Sequence, residues 1–85
     1  MSEGVSIHPH ALERMAIRGA EVHEIERTIA MGETFPAKHG RTGFRRNFAG
    51  EWLRNGTKFD TKQLEVYAVI ENDAWLVITV IVKYF

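Results

Sequence analysis

The sequence predicts an α+β protein in which two N-terminal helices, an αα-hairpin, pack on one face of an antiparallel sheet of three to four strands. Three observations predict this class. The chain closes on an apolar run at residues 75–85, two segments of helical period lie in its first third, and alternating segments with turn signals lie between. The whole chain, residues 1–85, is predicted to form a single domain.

The closing run, residues 75–85, predicts the central strand of the sheet because nearly all of its residues are β-branched or aromatic. It is shorter than the ~20 apolar residues that a membrane-spanning helix needs, so no membrane partner is expected. Strict alternation gives the strand a continuous core face and a second face that mixes apolar, hydroxyl and amine groups. The predicted core face holds Leu76, Ile78, Val80, Val82 and Tyr84, and the second face holds Trp75, Val77, Thr79, Ile81 and Lys83.

Two helices are predicted before the sheet. The first follows Pro9, which suits a first helical turn, and runs over residues 11–18 to a left-handed stop at Gly19. The second begins at residue 20 or 21 and ends at Met31.

The middle of the chain predicts a loop over residues 35–43 and a first strand over residues 44–48. Phe44 and Phe48 are expected to point inward, which places Arg46 inward as well.

Two turn signals follow in the second half of the chain. Asn55-Gly56 predicts a tight hairpin within residues 51–59, and Asn72-Asp73 predicts the turn that leads into the central strand. Residues 63–71 lie between these turns, and the alternation of their apolar and polar side chains predicts another strand. Its inward side chains are expected to be Leu64, Val66, Ala68 and Ile70.

The stretch His-Ala-Leu-Glu-Arg-Met-Ala-Ile-Arg-Gly at residues 10–19 resembles the opening pattern of domain-of-unknown-function family 4258. The likeness continues through Phe-Arg-Arg at residues 44–46, Lys-Gln at residues 62–63 and the closing strand, so it covers nearly the whole chain. This family is similar in organisation to the RelE/ParE toxin superfamily. Some members of that superfamily act on translation as ribonucleases, and other branches act on DNA gyrase. The resemblance implies a toxin of a toxin–antitoxin pair, as an analogy at the level of the fold.

A ribonuclease that works without a metal needs a base for the ribose 2′-hydroxyl and cations for the phosphate. His10, Arg14 and Arg18 recur at the spacing of helical turns and supply both from one helix face. The catalytic residues are therefore predicted to be His10, Arg14, Arg18 and Arg45, and the substrate-binding residues Arg46, Lys62 and Thr79. Rows of charge on helices are more often solvated surface, and that alternative stays open.

The charge balance limits how such a protein holds RNA. Eleven basic residues offset eleven acidic ones, so binding must depend on a local basic patch rather than on net charge. The absence of cysteine fits a reducing cytoplasm.

No cofactor or metal is predicted. His8 and His10 with Glu13 include good zinc ligands, but Pro9 separates the histidines at a spacing that does not place both on one helix face.

An alternative function is a non-catalytic partner-binding domain. The half-apolar second face of the central strand suits a homodimer interface or an antitoxin-binding surface. Neutral charge and the lack of a clear acid and base pair favour this hypothesis.

Overall fold

The computed structural model describes residues 4–85 as two helices and a five-stranded mixed sheet. The helices lie on one face of the sheet, and the strand order is β1-β5-β4-β3-β2. The predicted α+β class and the two helices before the main sheet are confirmed. The elements are β1 (Val5–Ile7), α1 (Pro9–Arg18), α2 (Val22–Met31), β2 (Glu33–Pro36), β3 (Thr42–Arg54), β4 (Thr57–Glu71) and β5 (Ala74–Tyr84), with a 3₁₀ turn at Lys38–Gly40.

The prediction of three to four antiparallel strands holds for β2 to β5, which pair antiparallel, but it misses the fifth strand, β1, which makes the sheet mixed. The short strand β1 pairs in parallel with β5. Strand β2 pairs with β3, and its second half, together with the start of β3, falls in the segment 35–43 that was predicted to be a loop. Strands of three and four residues are too short to show an alternating pattern, so they depend on long-range pairing with β5 and β3.

Strands β3 and β4 form one long hairpin, where the sequence predicted a short strand followed by a separate hairpin. A register shift between Ala49 and Trp52 lets β3 continue as a single element. The turn falls at Asn55 and Gly56 as predicted, with φ values of 52° and 81°.

A bulge in β5 changes which side chains enter the core. Tyr67 pairs with Thr79 and the next residue, Ala68, pairs with Val77, so Ile78 is the extra residue. Val77 and Val80 are consequently both fully buried. The predicted core face is confirmed for the residues after the bulge and is wrong for the residues before it. Val80, Val82 and Tyr84 point toward the helices, whereas Trp75 and Val77 replace Leu76 and Ile78 there.

The core lies between the helices and one face of the sheet. Strand β4 supplies three of its four predicted inward side chains, while the fourth, Ile70, is 59% exposed near the end of the strand. The buried apolar residues are Ala11, Met15, Ala20, Ile25, Phe44, Leu64, Val66, Ala68, Val77 and Val80.

Helix α1 runs beside the edge of β5 where β1 ends. The backbone N–H of His8 donates to the carbonyl of Val77 at 2.9 Å, and Nη1 of Arg18 donates to the carbonyl of Val80 at 2.6 Å. The helix thus takes the place of a paired strand along this edge.

The opposite face of the sheet is not covered by the helices. We call it the open face and define it by Arg45, Glu65, Tyr67, Thr79 and Ile81, which share one side of the paired strands. Within residues 4–85, no helix has the length and hydropathy to span a membrane.

Candidate functional site

Helix α1 is fixed at both ends by its own sequence. Nδ1 of His8 accepts from the backbone N–H of His10 at 3.1 Å, and Pro9 occupies the first helical turn. Gly19 ends the helix with φ 85°, the left-handed conformation predicted for it. These caps fix where the helix begins and ends, and the buried side chains of Ala11 and Met15 mark the side that packs on the core.

A pocket of about 260 Å³ lies between α1 and β5, and we call it the α1 pocket. Three of the predicted site residues, one helical turn apart, line its helical side, and Thr79 lies on its strand side. The structure therefore brings together four of the seven residues singled out from the sequence. The lining residues are His10, Arg14, Arg18, Ile78, Thr79 and Ile81.

The basic side chains of the α1 pocket differ in how firmly they are held. Arg18 is half-buried, its Nη1 bonds to Val80, and its own carbonyl accepts from the hydroxyl of Tyr84 at 3.0 Å. A guanidinium group has five N–H donors, so this anchored cation keeps donors for an anion. Arg14 and His10 are exposed and meet solvent directly.

Arg45 lies on the open face at the centre of an ionic cluster. Its Nε donates to Glu65 at 2.9 Å and its Nη1 to Glu33 at 3.1 Å, while the hydroxyl of Tyr67 donates to the other oxygen of Glu65 at 2.9 Å. Arg45 shares the open face with Thr79 but does not line the α1 pocket. Its charge is already balanced by two carboxylates.

These contacts shift the pKa values of the cluster. Burial alone would raise the pKa of Glu65, but hydrogen bonds from Arg45 and Tyr67 and the charges of Arg45 and Lys83 outweigh it, so the pKa lies below the ordinary 4.5. The pKa of Arg45 is raised, chiefly by its bond to Glu65. Burial and the Glu65 carboxylate raise the pKa of Tyr67 above 10.0. The cluster is therefore a stable salt-bridged unit at neutral pH.

Arg46 and Lys62 lie on the helix-covered face, away from the α1 pocket. Nζ of Lys62 donates to Glu24 at 2.7 Å and to the carbonyl of Gly19 at 2.6 Å, and the residue is only 2% exposed. The guanidinium of Arg46 lies 5.6 Å from the ring centroid of Phe48. Among residues 4–85, the Nε atom of Arg46 is a buried polar atom without a hydrogen-bond partner.

The histidines weighed as metal ligands have local roles at the start of α1. His8 caps the helix, and His10 faces the α1 pocket. No cluster of three His, Cys, Asp or Glu side chains placed to hold a metal occurs in the described part of the chain.

A second and larger cavity, about 430 Å³, lies on the open face near β2, and we call it the β2 cavity. The sequence did not predict it, because it requires Phe35 of an unpredicted strand to pair opposite Gly43. A phenylalanine and a glycine flanking a short basic turn were the available signal. The lining residues are Phe35, Pro36, Ala37, Lys38, His39, Arg41, Tyr67 and Thr79.

The fold and site define a small α+β protein with one uncovered sheet face, bordered on one side by a helical row of cations. The sequence profile of a family described as "domain of unknown function (DUF4258)" matches residues 7–82, so the chain belongs to this family, as its sequence pattern predicted. No curated protein and no solved structure matches the chain.

Proposed function

We propose that this protein is a RelE/ParE-like module that binds RNA on its open face and cleaves it in the α1 pocket, as a toxin of a toxin–antitoxin pair. The observation that carries the proposal is that His10, Arg14 and Arg18 line one pocket together with Thr79. A solvated helix face would not need to share a cavity with the sheet.

The charge in the α1 pocket suits a phosphate group. Two guanidinium groups and an imidazole line it, and none of its lining residues is acidic. Arginine binds phosphate oxygens through paired N–H donors, which adds direction to the attraction. The salt-bridged Arg45 and the buried Lys62 are already neutralised, so the proposal assigns phosphate binding to Arg14 and Arg18.

The reaction is an internal transesterification of RNA. His10 accepts the proton of a ribose 2′-hydroxyl as the 2′-oxygen bonds to phosphorus and the bond to the 5′-oxygen breaks. Water gives the 5′-oxygen its proton, and the imidazolium of His10 then protonates the hydroxide that remains. Arg14 and Arg18 stabilise the added negative charge on the phosphate oxygens. The products are a 2′,3′-cyclic phosphate and a 5′-hydroxyl.

Incubating end-labelled single-stranded RNA with the purified protein in a metal chelator tests this proposal. We expect cleavage by the wild type, a loss of roughly 10²- to 10⁴-fold in His10→Asn, and a loss at least tenfold in Arg14→Gln. The matched control is Arg27→Gln, which changes an exposed arginine on α2 away from the pocket.

His10 and Arg14 are exposed, so circular dichroism should show that both variants keep the fold. An inactive wild type would refute the ribonuclease proposal. Unchanged cleavage by His10→Asn would refute the role of the α1 pocket.

An antitoxin that covers the open face would block the same site. We therefore expect expression of the wild type to arrest growth, and expression of Arg14→Gln to arrest it less, since the change weakens phosphate binding. Equal arrest by both would contradict the link between growth and the α1 pocket.

A further inference from the structure

We infer that the β2 cavity is a nucleobase-binding subsite, so that one RNA strand crosses the open face with a phosphate in the α1 pocket and a base in the β2 cavity. This inference rests on the proposed function and adds to it the position and chemistry of a second contact.

The β2 cavity has an aromatic wall made of Phe35 and Tyr67. The rings of Phe35 and Tyr67 line the β2 cavity with centroids 6.1 Å apart and planes at 82°. Rings at this angle give a planar base the face of one ring and the edge of the other, the two arrangements that aromatic groups prefer. Stacking of this kind is the usual way in which proteins hold unpaired bases.

The position of the Phe35 ring is built into the sheet. Phe35 pairs with Gly43, and a Cβ atom at Gly43 would overlap the ring. The guanidinium of Arg45 lies 4.6 Å from the centroid of the same ring and is held by Glu65 and Glu33. The ionic cluster thus acts as a support that fixes the aromatic wall.

Basic side chains also line the β2 cavity. Lys38, His39 and Arg41 line the cavity on the connection between β2 and β3. This connection is a closed turn, because Ala37 N–H donates to the Arg41 carbonyl at 3.0 Å and His39 adopts φ 62°. The turn presents cations beside the aromatic wall, where phosphates that flank a bound base would lie.

The β2 cavity and the α1 pocket adjoin each other. Thr79 lines both the α1 pocket and the β2 cavity, and it pairs directly with Tyr67 on the neighbouring strand. The two sites together extend across four adjacent strands, β5 to β2, whose three spacings of ~4.8 Å span about 15 Å. Cations at both borders with aromatic rings and hydroxyls between them fit a polyanion that carries aromatic bases. An acidic peptide would use the cations without the rings.

A short RNA with 2-aminopurine at one position and 2′-O-methyl groups throughout tests the inference independently of cleavage, since the blocked 2′-oxygens cannot react. We expect the wild type to bind this RNA and to quench its emission through stacking. Phe35→Leu keeps apolar volume without a ring and should weaken binding roughly 5- to 150-fold with loss of quenching. The matched control is Phe48→Leu, since that ring lies on the helix-covered face.

Lys38→Gln/Arg41→Gln should weaken binding but keep the quenching of RNA that is bound, since the rings remain. Equal binding and quenching by Phe35→Leu and Phe48→Leu would overturn the base subsite and leave cleavage in the α1 pocket standing. Absence of RNA binding by the wild type, including the case in which an acidic peptide binds instead, would overturn both proposals.

Discussion

Lys62 shows how one buried charge changes the interpretation of a sequence. From the sequence it is a cation on the sheet that is available to substrate, but its side chain is 3% exposed and paired with Glu24, which is 8% exposed. It also bonds to the carbonyl of Gly19 at the end of α1. One ammonium group therefore ties both helices to β4. The partner lies 38 positions away, a distance that no local pattern spans.

We expect Lys62→Met to lower the free energy of unfolding by about 3–5 kcal/mol, because it leaves the Glu24 carboxylate buried without its cation. Urea denaturation measures the change. Lys62→Met/Glu24→Leu should recover most of the loss, and the exposed control Lys58→Met should differ from wild type by less than about 0.5 kcal/mol. A single variant as stable as the control would refute this role.

Glu65 makes the stability of the protein depend on pH in the acidic range. Its pKa is lower in the folded state than the ordinary 4.5, so its contribution to stability is present above that pH and is lost as the pH falls through the lowered value. We expect Glu65→Gln to flatten the decline of the unfolding free energy as the pH falls through and below the ordinary 4.5. Thermal denaturation across this range checks it, with Glu51→Gln as an exposed control. Equal declines in wild type and Glu65→Gln would contradict the lowered pKa.

At the scale of elements, β5 was predictable and its bulge was not. The apolar run at residues 75–85 predicts a central strand. It does form a strand, but the middle strand of the sheet is β4, and β5 pairs with β1 only over residues 75–77. Both of its faces are apolar near Ile78, so the sequence accommodates either register at that point. Pairing with β4 selects the register, and this places Val77 in the core.

The row of basic side chains on α1 was predictable because the helical repeat alone determines their common direction. His10, Arg14 and Arg18 keep one direction wherever the helix packs. The sequence did not show which surface these side chains face. Helix α1 lies along the part of the β5 edge that β1 leaves unpaired, and the strand β1 was not predicted. The β2 cavity was not predictable for the same reason, because it requires four strands, β2 to β5, to be in register.

The end of α1 gives a test of how this helix is positioned. Gly19 has φ 85°, and a Cβ there would lie 2.8 Å from both the Arg54 guanidinium and the Tyr84 hydroxyl. Gly56 has φ 81° with open space around it, so it isolates the backbone strain. We expect Gly56→Ala to cost about 1–2 kcal/mol and Gly19→Ala to cost more, because it adds crowding to the same strain. Equal losses in urea denaturation would show that α1 does not pack closely on this corner.

For the whole molecule, the positions of the charges matter more for RNA binding than the net charge does. The chain has formal net charge 0, yet cations line both the α1 pocket and the β2 cavity on one face. Binding of single-stranded RNA releases about 0.7 counterion for each phosphate contacted, so affinity should fall with salt despite the neutral total. We expect Arg14→Gln to reduce the slope of log affinity against log salt by about 0.7, and Arg27→Gln to leave it unchanged. Equal slopes in wild type and Arg14→Gln would contradict a phosphate contact at Arg14.

The central claim is that RNA occupies the open face between α1 and β2. Titration of ¹⁵N-labelled protein with the 2′-O-methyl RNA, followed by NMR, tests it most directly. We expect the largest chemical-shift changes at the amides of Thr79 and Tyr67 and at the side chain of Arg14, and no change at α2 residues such as Arg27. Shifts confined to α2 or to the tip of the β3–β4 hairpin at Asn55 would contradict it.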